Sequence, residues 1–394
     1  MRSVSVFGAT GSIGENTFDL LMRGGGPATY RTVALTGAKN IARLAEMARA
    51  LRAEVAVTAV DALLPDLRTA LAGSGTEAAA GAQAIAEAAC RPADWVMSGI
   101  VGAAGLVPGM NALRQGATLA LANKESLVTA GPLLLATAAA HGARILPVDS
   151  EHSAVFQALA GEDIRSVERV IITASGGPFR TWDIARLAAA TMKQAVAHPN
   201  WSMGQRISID SASMFNKALE LIETREYFGF APAQIEVLVH PQSVVHALVG
   251  FIDGGVMAHM GAPDMRHAIG YALHWPDRMH IPVARLDLAK LGSLAFEEPD
   301  PERFPALRLA REVMETRGLA GCAFNAAKEV ALDHFIAGGL RFLEMADVVE
   351  ATLDHLSRGN SLGKAASTLE EVQMMDHLAR KTAVDAVHTR QQSR

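Results

Sequence analysis

Arg2-Ser3-Val4-Ser5-Val6-Phe7 runs straight into Gly8-Ala9-Thr10-Gly11-Ser12-Ile13-Gly14, and a helical pattern follows through Leu20, Leu21 and Met22. Strand, glycine-rich turn and helix in that order is the context a dinucleotide needs. Glycines permit the tight turn, and the helix N-terminus receives the pyrophosphate. The spacing is G-x-x-G-x-x-G, a variant of the more usual G-x-G-x-x-G. A second strand, Thr32 to Thr36, ends where an acid would bind the ribose 2′-hydroxyl of NAD, yet no Asp or Glu occurs between Asp19 and Glu46. Gly37-Ala38-Lys39-Asn40 stands there, with Arg43 soon after. Cations at that place complement a 2′-phosphate, so the reading is NADP rather than NAD.

Outward from this turn, strand and helix patterns alternate. Helical Ile41 to Leu51 precedes strand Glu54 to Thr58, and Trp95 to Ser98 and Ala117 to Leu121 read as further strands. Alternation of this kind gives a doubly wound parallel sheet with ligand loops at the carboxyl ends of its strands. Ala122-Asn123-Lys124-Glu125-Ser126 lies at such an end, and Lys124 is read as a cation directed at the site.

Arg144-Ile145-Leu146-Pro147 reads as a buried strand that stops at Val148-Asp149-Ser150-Glu151-His152. In an extended segment residues two apart share a side, so Asp149 and Glu151 aim two carboxylates at one point. Hard oxygen donors of this kind suit Mg²⁺ or Mn²⁺. An ordinary solvated turn is the competing account, and the neighbouring segments decide against it. Ser175-Gly176-Gly177 follows strand Val167 to Thr173 and can form a backbone nest for an anion. His198-Pro199-Asn200-Trp201-Ser202-Met203-Gly204 puts an exposed tryptophan on a polar loop, which reads as a lid. Asp210 to Glu223 reads as one helix carrying Ser213, Asn216 and Glu220 on one side, with Lys217 adjoining. Ser, Asn and Lys together can hold a phosphate and Glu220 can complete an oxygen-ligand metal site, the alternative being a capped amphipathic helix with a polar solvent face. Strands Ile235 to His240, Val244 to Phe251 and Val256 to Met260 indicate a second sheet, in which His240, His246 and His259 are left without a role.

Length and composition agree. The 394 residues allow two or three domains, half of them are hydrophobic, and a net charge of −5 argues against a general nucleic-acid binder. Cys90 and Cys322 lack metal-ligand spacing, which fits a reducing compartment. Val96 to Leu113 is the closest approach to a membrane span, but its four glycines, Pro108 and Asn111 favour a strand and loop. The chain starts directly with a strand and shows no signal sequence, so a cytoplasmic protein is expected. Glu297 to Pro305 is charged and proline-rich, and helical patterns over Ala306 to Thr316, Cys322 to Ala337, Met345 to Leu356 and Leu369 to Val387 read as a bundle.

Taken together, GATGSIG, LANKESLV, VDSEHSAVFQ, TASGGPF, HPNWSMG, SIDSASMFNKALE and HPQSVVH, in that order, resemble the 1-deoxy-D-xylulose 5-phosphate reductoisomerase family over essentially the whole chain. Three departures are Ala9 where the family usually has Ser, Ser213 where it has Thr, and Gly37-Ala38 in reversed order. The resemblance implies an α/β protein. A Rossmann-like NADPH-binding domain would cover residues 1–149 and a catalytic and dimerisation domain 150–285, with a lid near 198–205. A linker at 286–305 and a helical domain at 306–394 would follow. It implies NADPH on Thr10, Gly11, Ser12 and Ile13, with Lys39 and Asn40 near the 2′-phosphate and Asn123, Glu125 and Gly204 completing the site. The divalent metal, Mg²⁺ or Mn²⁺ with Co²⁺ as a further candidate, would sit on Asp149, Glu151 and Glu220. Those three acids and Lys124 are the expected catalytic residues. The phosphorylated sugar would meet Lys124, Ser150, Glu151, Ser175, His198, Ser211, Asn216, Lys217 and Glu220, under a lid of Trp201 and Met203. A homodimer with no nucleic-acid or membrane partner is implied. Rivals are a semialdehyde-type dehydrogenase, which needs a nucleophilic Cys, and an NADP-sensing oligomer, which leaves the acids without a purpose.

Overall fold

The computed structural model describes residues 1–199, 201, 204–359 and 362–392. They form two compact units. The first comprises Met1–Ser126, Leu134–Ser153 and Asp264–Ala284, and the second Leu127–Leu133, Ala154–Pro263 and Arg285–Arg394.

The first unit is built on seven strands: β1 (Arg2–Phe7), β2 (Tyr30–Gly37), β3 (Val55–Thr58), β4 (Glu77–Ala80), β5 (Trp95–Ser98), β6 (Thr118–Leu121) and β7 (Arg144–Pro147). They pair in parallel in the order β4-β3-β2-β1-β5-β6-β7. The order reverses beside β1, which places the glycine turn at the switch point where such sheets bind ligands. β3 and β5 are buried along their whole length, as a parallel sheet covered on both faces requires. Helix Ile41–Leu51 lays Leu44, Ala45, Met47, Ala48 and Leu51 inward, an apolar stripe at helical period. Strand β4 escaped sequence reading because Ala-rich Glu77–Ala80 has low strand propensity and occupies a partly exposed edge. Helix Arg266–His274 also belongs here: Trp95 Nε1 donates to Ala272 O at 3.0 Å and the Arg2 guanidinium to Leu273 O.

The second unit holds a four-stranded sheet of β8 (Val167–Ala174), β9 (Ile235–Val239), β10 (Val245–Phe251) and β11 (Val256–Met260), ordered β11-β10-β8-β9. Its helices include Ala320–Ile336, which is buried on nearly every side and packs against Ala306–Thr316, Glu344–Ser357 and Leu369–Gln392. The helical bundle expected from residue 306 is therefore part of this unit. The stretch expected as a linker is anchored: Glu297 and Val239 exchange backbone hydrogen bonds of 2.8 and 2.9 Å, and Phe296 stacks on His240 at 4.7 Å.

Two helical expectations need correction. Asp210 to Glu223 is not one helix. Gln205–Ala212 and Phe215–Phe228 are separated at Met214, which takes a left-handed φ of 61°, so Ser213 does not share a face with Asn216 and Glu220. Its hydroxyl donates to Ile209 O at 2.8 Å instead. Nor is 149–151 extended, because a helix begins at Ser150.

Gly8 is the residue on which the first turn depends. Its φ is +84°, and a Cβ there would lie 2.5 Å from Gly99 O. Gly8→Ala is expected to lower the free energy of unfolding by more than about 1 kcal/mol, read from urea denaturation. A loss within error would show that the turn tolerates a side chain.

Candidate active site and metal centre

The glycine turn is held by β2. Gly8 N–H donates to Thr36 Oγ1 at 3.0 Å, and Ala9 N–H to Thr36 O at 2.7 Å. Gly11 is the N-cap of helix Ser12–Arg23, and no side chain caps it. The first-turn amides are thus left for an anion. Gly14 lets the helix close on the turn, since a Cβ there would meet Ala9 O at 2.2 Å. Beyond β2, Lys39 is exposed, while Asn40 Oδ1 caps the next helix by accepting from Arg43 N–H at 3.2 Å. Arg43 is not available for a 2′-phosphate in the way its position suggested. Its guanidinium is bidentate to Glu15 at 2.9 and 2.7 Å and reaches Glu46 at 2.7 Å.

Asn123 is a structural hub as well as an expected cofactor contact. Its Oδ1 caps helix Lys124–Ala140 through Ser126 N–H at 2.9 Å. Its amide donates to Ile100 O, Gly102 O and Glu125 Oε2 at 2.5, 2.9 and 3.0 Å. Capping at this point aims the following residue, and Lys124 Nζ meets Asp149 Oδ2 at 2.7 Å with both side chains buried.

Asp149 precedes helix Ser150–Ala158, and its Oδ1 accepts from Glu151 N–H at 3.2 Å. The helix start, rather than strand alternation, sets the relation between the two acids. Ser150 Oγ donates to Glu151 Oε2 at 2.5 Å. Glu220 is fully buried and accepts from Asn216 Nδ2 at 2.5 Å and from the Lys217 ammonium. One oxygen from each of Asp149, Glu151 and Glu220 lies within 4.8 Å of the others. The donor set is all oxygen and anionic, which fits a hard divalent cation such as Mg²⁺ or Mn²⁺.

A second polar group surrounds Ser175. Gly176 and Gly177 take φ of +83° and +61°. Gly177 N–H donates to Ser175 Oγ at 3.1 Å, and a Cβ on Gly177 would press on Ser211 O at 3.1 Å. His198 Nδ1 accepts from Trp201 N–H at 3.0 Å, so its proton is on Nε2, 2.9 Å from Ser175 Oγ. Burial holds the His198 imidazole below its ordinary value, which favours the neutral ring. Trp201 is half-buried rather than exposed, its ring 6.4 Å from His246, a histidine to which sequence patterning gave no role. Gly204 is the N-cap of Gln205–Ala212. Met203 lies outside the described residues.

Family models described as 1-deoxy-D-xylulose 5-phosphate reductoisomerase, its C-terminal domain, and DXP reductoisomerase C-terminal domain match residues 4–131, 145–228 and 260–382. Proteins named 1-deoxy-D-xylulose 5-phosphate reductoisomerase from Cereibacter sphaeroides and Ruegeria pomeroyi are 73% and 68% identical. The first covers 100% of both chains, the second 98% of this chain and 97% of its own. A solved reductoisomerase from Zymomonas mobilis in complex with NADPH is 47% identical with a TM-score of 0.91, covering 98% of this chain and 99% of that one. A DOX-P reductoisomerase in complex with NADPH, fosmidomycin and magnesium is 39% identical with a TM-score of 0.93, covering 98% of each.

His198 carries a pH prediction. As pH falls below about 6.5 the unfolded chain takes up a proton that buried His198 resists, so its stabilising contribution is present at neutral pH and lost on acidification. Proton NMR should give its imidazole a midpoint below that of a free histidine. A midpoint above it would rule out the neutral Nε2–H form.

Proposed function

The chain belongs to the 1-deoxy-D-xylulose 5-phosphate reductoisomerase family, and we propose that it converts 1-deoxy-D-xylulose 5-phosphate to 2-C-methyl-D-erythritol 4-phosphate in isoprenoid precursor biosynthesis. The reaction rearranges the carbon skeleton and reduces the resulting aldehyde, using NADPH and a divalent cation. The observation that carries the reading is the convergence of Asp149, Glu151 and Glu220 in a chain that also holds a nucleotide turn. A divalent cation bound there supplies Lewis-acid stabilisation to substrate oxygens on which negative charge develops. NADPH supplies the hydride.

The protein's own groups supply placement and charge. Lys124 lies against Asp149 and adds positive potential beside the same oxygens. Ser175, Ser211, Asn216 and Lys217 bind the phosphate, with His198 donating from Nε2. Because the phosphate is remote from the changing bonds, its binding energy serves orientation and closure of the loop bearing Trp201 and Met203. Thr10, Gly11, Ser12, Ile13, Lys39, Asn40, Asn123, Glu125 and Gly204 hold the cofactor. The nucleotide turn, Asn123 as a cap and Lys39 as an exposed cation support that set.

A cytoplasmic homodimer completes the reading. Among the described residues no helix is long and apolar enough to cross a membrane. Edge strand β11 leaves Val256 53% and Met257 45% exposed, an apolar edge of the kind a second copy covers.

Cys322 is no candidate for the nucleophile of the Cys-dependent rival. Cys322 is buried and its thiol is pushed up to about 12, chiefly by burial, whereas a nucleophilic Cys needs the thiolate.

NADPH oxidation should depend on 1-deoxy-D-xylulose 5-phosphate, stop with EDTA and return with Mg²⁺ or Mn²⁺. Substrate-independent or chelator-resistant turnover would defeat the assignment. Glu220→Gln should cut kcat/KM at least roughly a hundredfold and weaken Mn²⁺ binding in calorimetry. A thiol-blocking reagent should leave most activity intact, and complete inactivation would favour the Cys-dependent rival.

A further inference from the structure

Lys328 and Asp210 form an ion pair that neither the metal site nor the nucleotide turn explains. Lys328 Nζ lies 2.9 Å from Asp210 Oδ2, with the residues 2% and 7% exposed. Such a pair is a poor device for stability alone, because desolvation offsets most of its attraction and apolar residues of similar volume do as well. Its place suggests another purpose. Asp210 directly precedes Ser211 in the last turn of Gln205–Ala212, which ends at left-handed Met214. The Ser175-Gly176-Gly177 turn is pressed against the Ser211–Ala212 backbone, with only 3.1 Å from a Cβ on Gly177 to Ser211 O or Ala212 Cα. The helix bearing Lys328 is itself pinned. Neighbouring Glu329 accepts from Asn325 Nδ2 at 3.3 Å and from Arg380 at 2.6 Å, and Arg380 also holds Asp376 at 2.7 Å.

We infer that Lys328 is a positioning residue for the phosphate end of the substrate: acting through Asp210, it fixes the turn that carries Ser211 and neutralises a carboxylate one residue away from where a dianion binds. The inference rests on the phosphate site proposed above. Without Lys328 the Asp210 charge repels the substrate's phosphate and leaves the nicotinamide cofactor unaffected.

The test is steady-state kinetics on the full-length enzyme with 1-deoxy-D-xylulose 5-phosphate and NADPH. Lys328→Met should raise KM for the sugar phosphate about tenfold, the equivalent of one charged hydrogen bond. kcat and KM for NADPH should stay within about threefold. Lys328→Arg should stay near the parent enzyme. Adding Asp210→Asn to Lys328→Met removes the stranded charge and should recover most of the lost KM. If Lys328→Met does not fold, Lys328→Gln, which keeps an amide donor for Asp210, should show the same rise. An unchanged KM in a folded variant overturns the inference. So does a parallel decline of kcat, both KM values and Tm, with no recovery from Asp210→Asn, which is the mark of a structural role. Ser211→Ala separates this from the site assignment. If Ser211→Ala raises KM for the sugar phosphate and the Lys328 variants do not, only the role of Lys328 falls. If Ser211→Ala leaves it unchanged, the phosphate site is misplaced.

Discussion

Three carboxylate oxygens held within 4.8 Å of one another repel strongly, and Asp149 and Glu220 are buried. At an effective dielectric near 20 each such pair costs about 3.5 kcal/mol at that distance, far more than a surface pair is worth. Cations among the acids relieve that repulsion. Lys124 on Asp149 and Lys217 on Glu220 supply two of them, and the divalent ion that the donor set suits supplies the rest. The same constraint explains why Asn123 is committed to backbone carbonyls. Its capping role fixes the start of the helix from which Lys124 reaches Asp149.

The glycine turns are built differently from the acid cluster. The nucleotide turn uses glycine geometry and an uncapped helix start, and the Ser175-Gly176-Gly177 turn again uses positive-φ glycines. In the second turn the Gly177 N–H is spent on Ser175 Oγ at 3.1 Å, which orients that hydroxyl. Side-chain charge is in places already partnered. Arg43 on Glu15 and Glu46 illustrates how a cation that looks available in the sequence is already engaged in the fold.

Most of the parallel sheet and the Asp149–Glu151 pair are legible in residue order, because each rests on local pattern: apolar runs, glycines at fixed offsets, and carboxylates two apart. What could not be read depends on tertiary context. Met214 is left-handed at the break between two helices, and nothing in its own propensity signals it. Asp149 and Glu151 converge because a helix begins at Ser150, not because they alternate along a strand. Edge strand β4 has almost no side-chain signature. Lys328 lies 118 residues from Asp210, beyond any spacing rule.

The Arg266–His274 helix, which covers Trp95 and Arg2, has a consequence for biogenesis. A ribosome that has released residues 1–153 has emitted every strand of the parallel sheet but not the helix that closes it, and 110 further residues separate Ser153 from Asp264. Contacts spanning 177 and 271 positions must form late, and long-range closure of this kind slows folding and prolongs exposure of apolar surface. The nascent sheet therefore emerges incomplete, a natural client for chaperones, and a gene fragment cut before residue 264 would not yield a self-sufficient nucleotide-binding module.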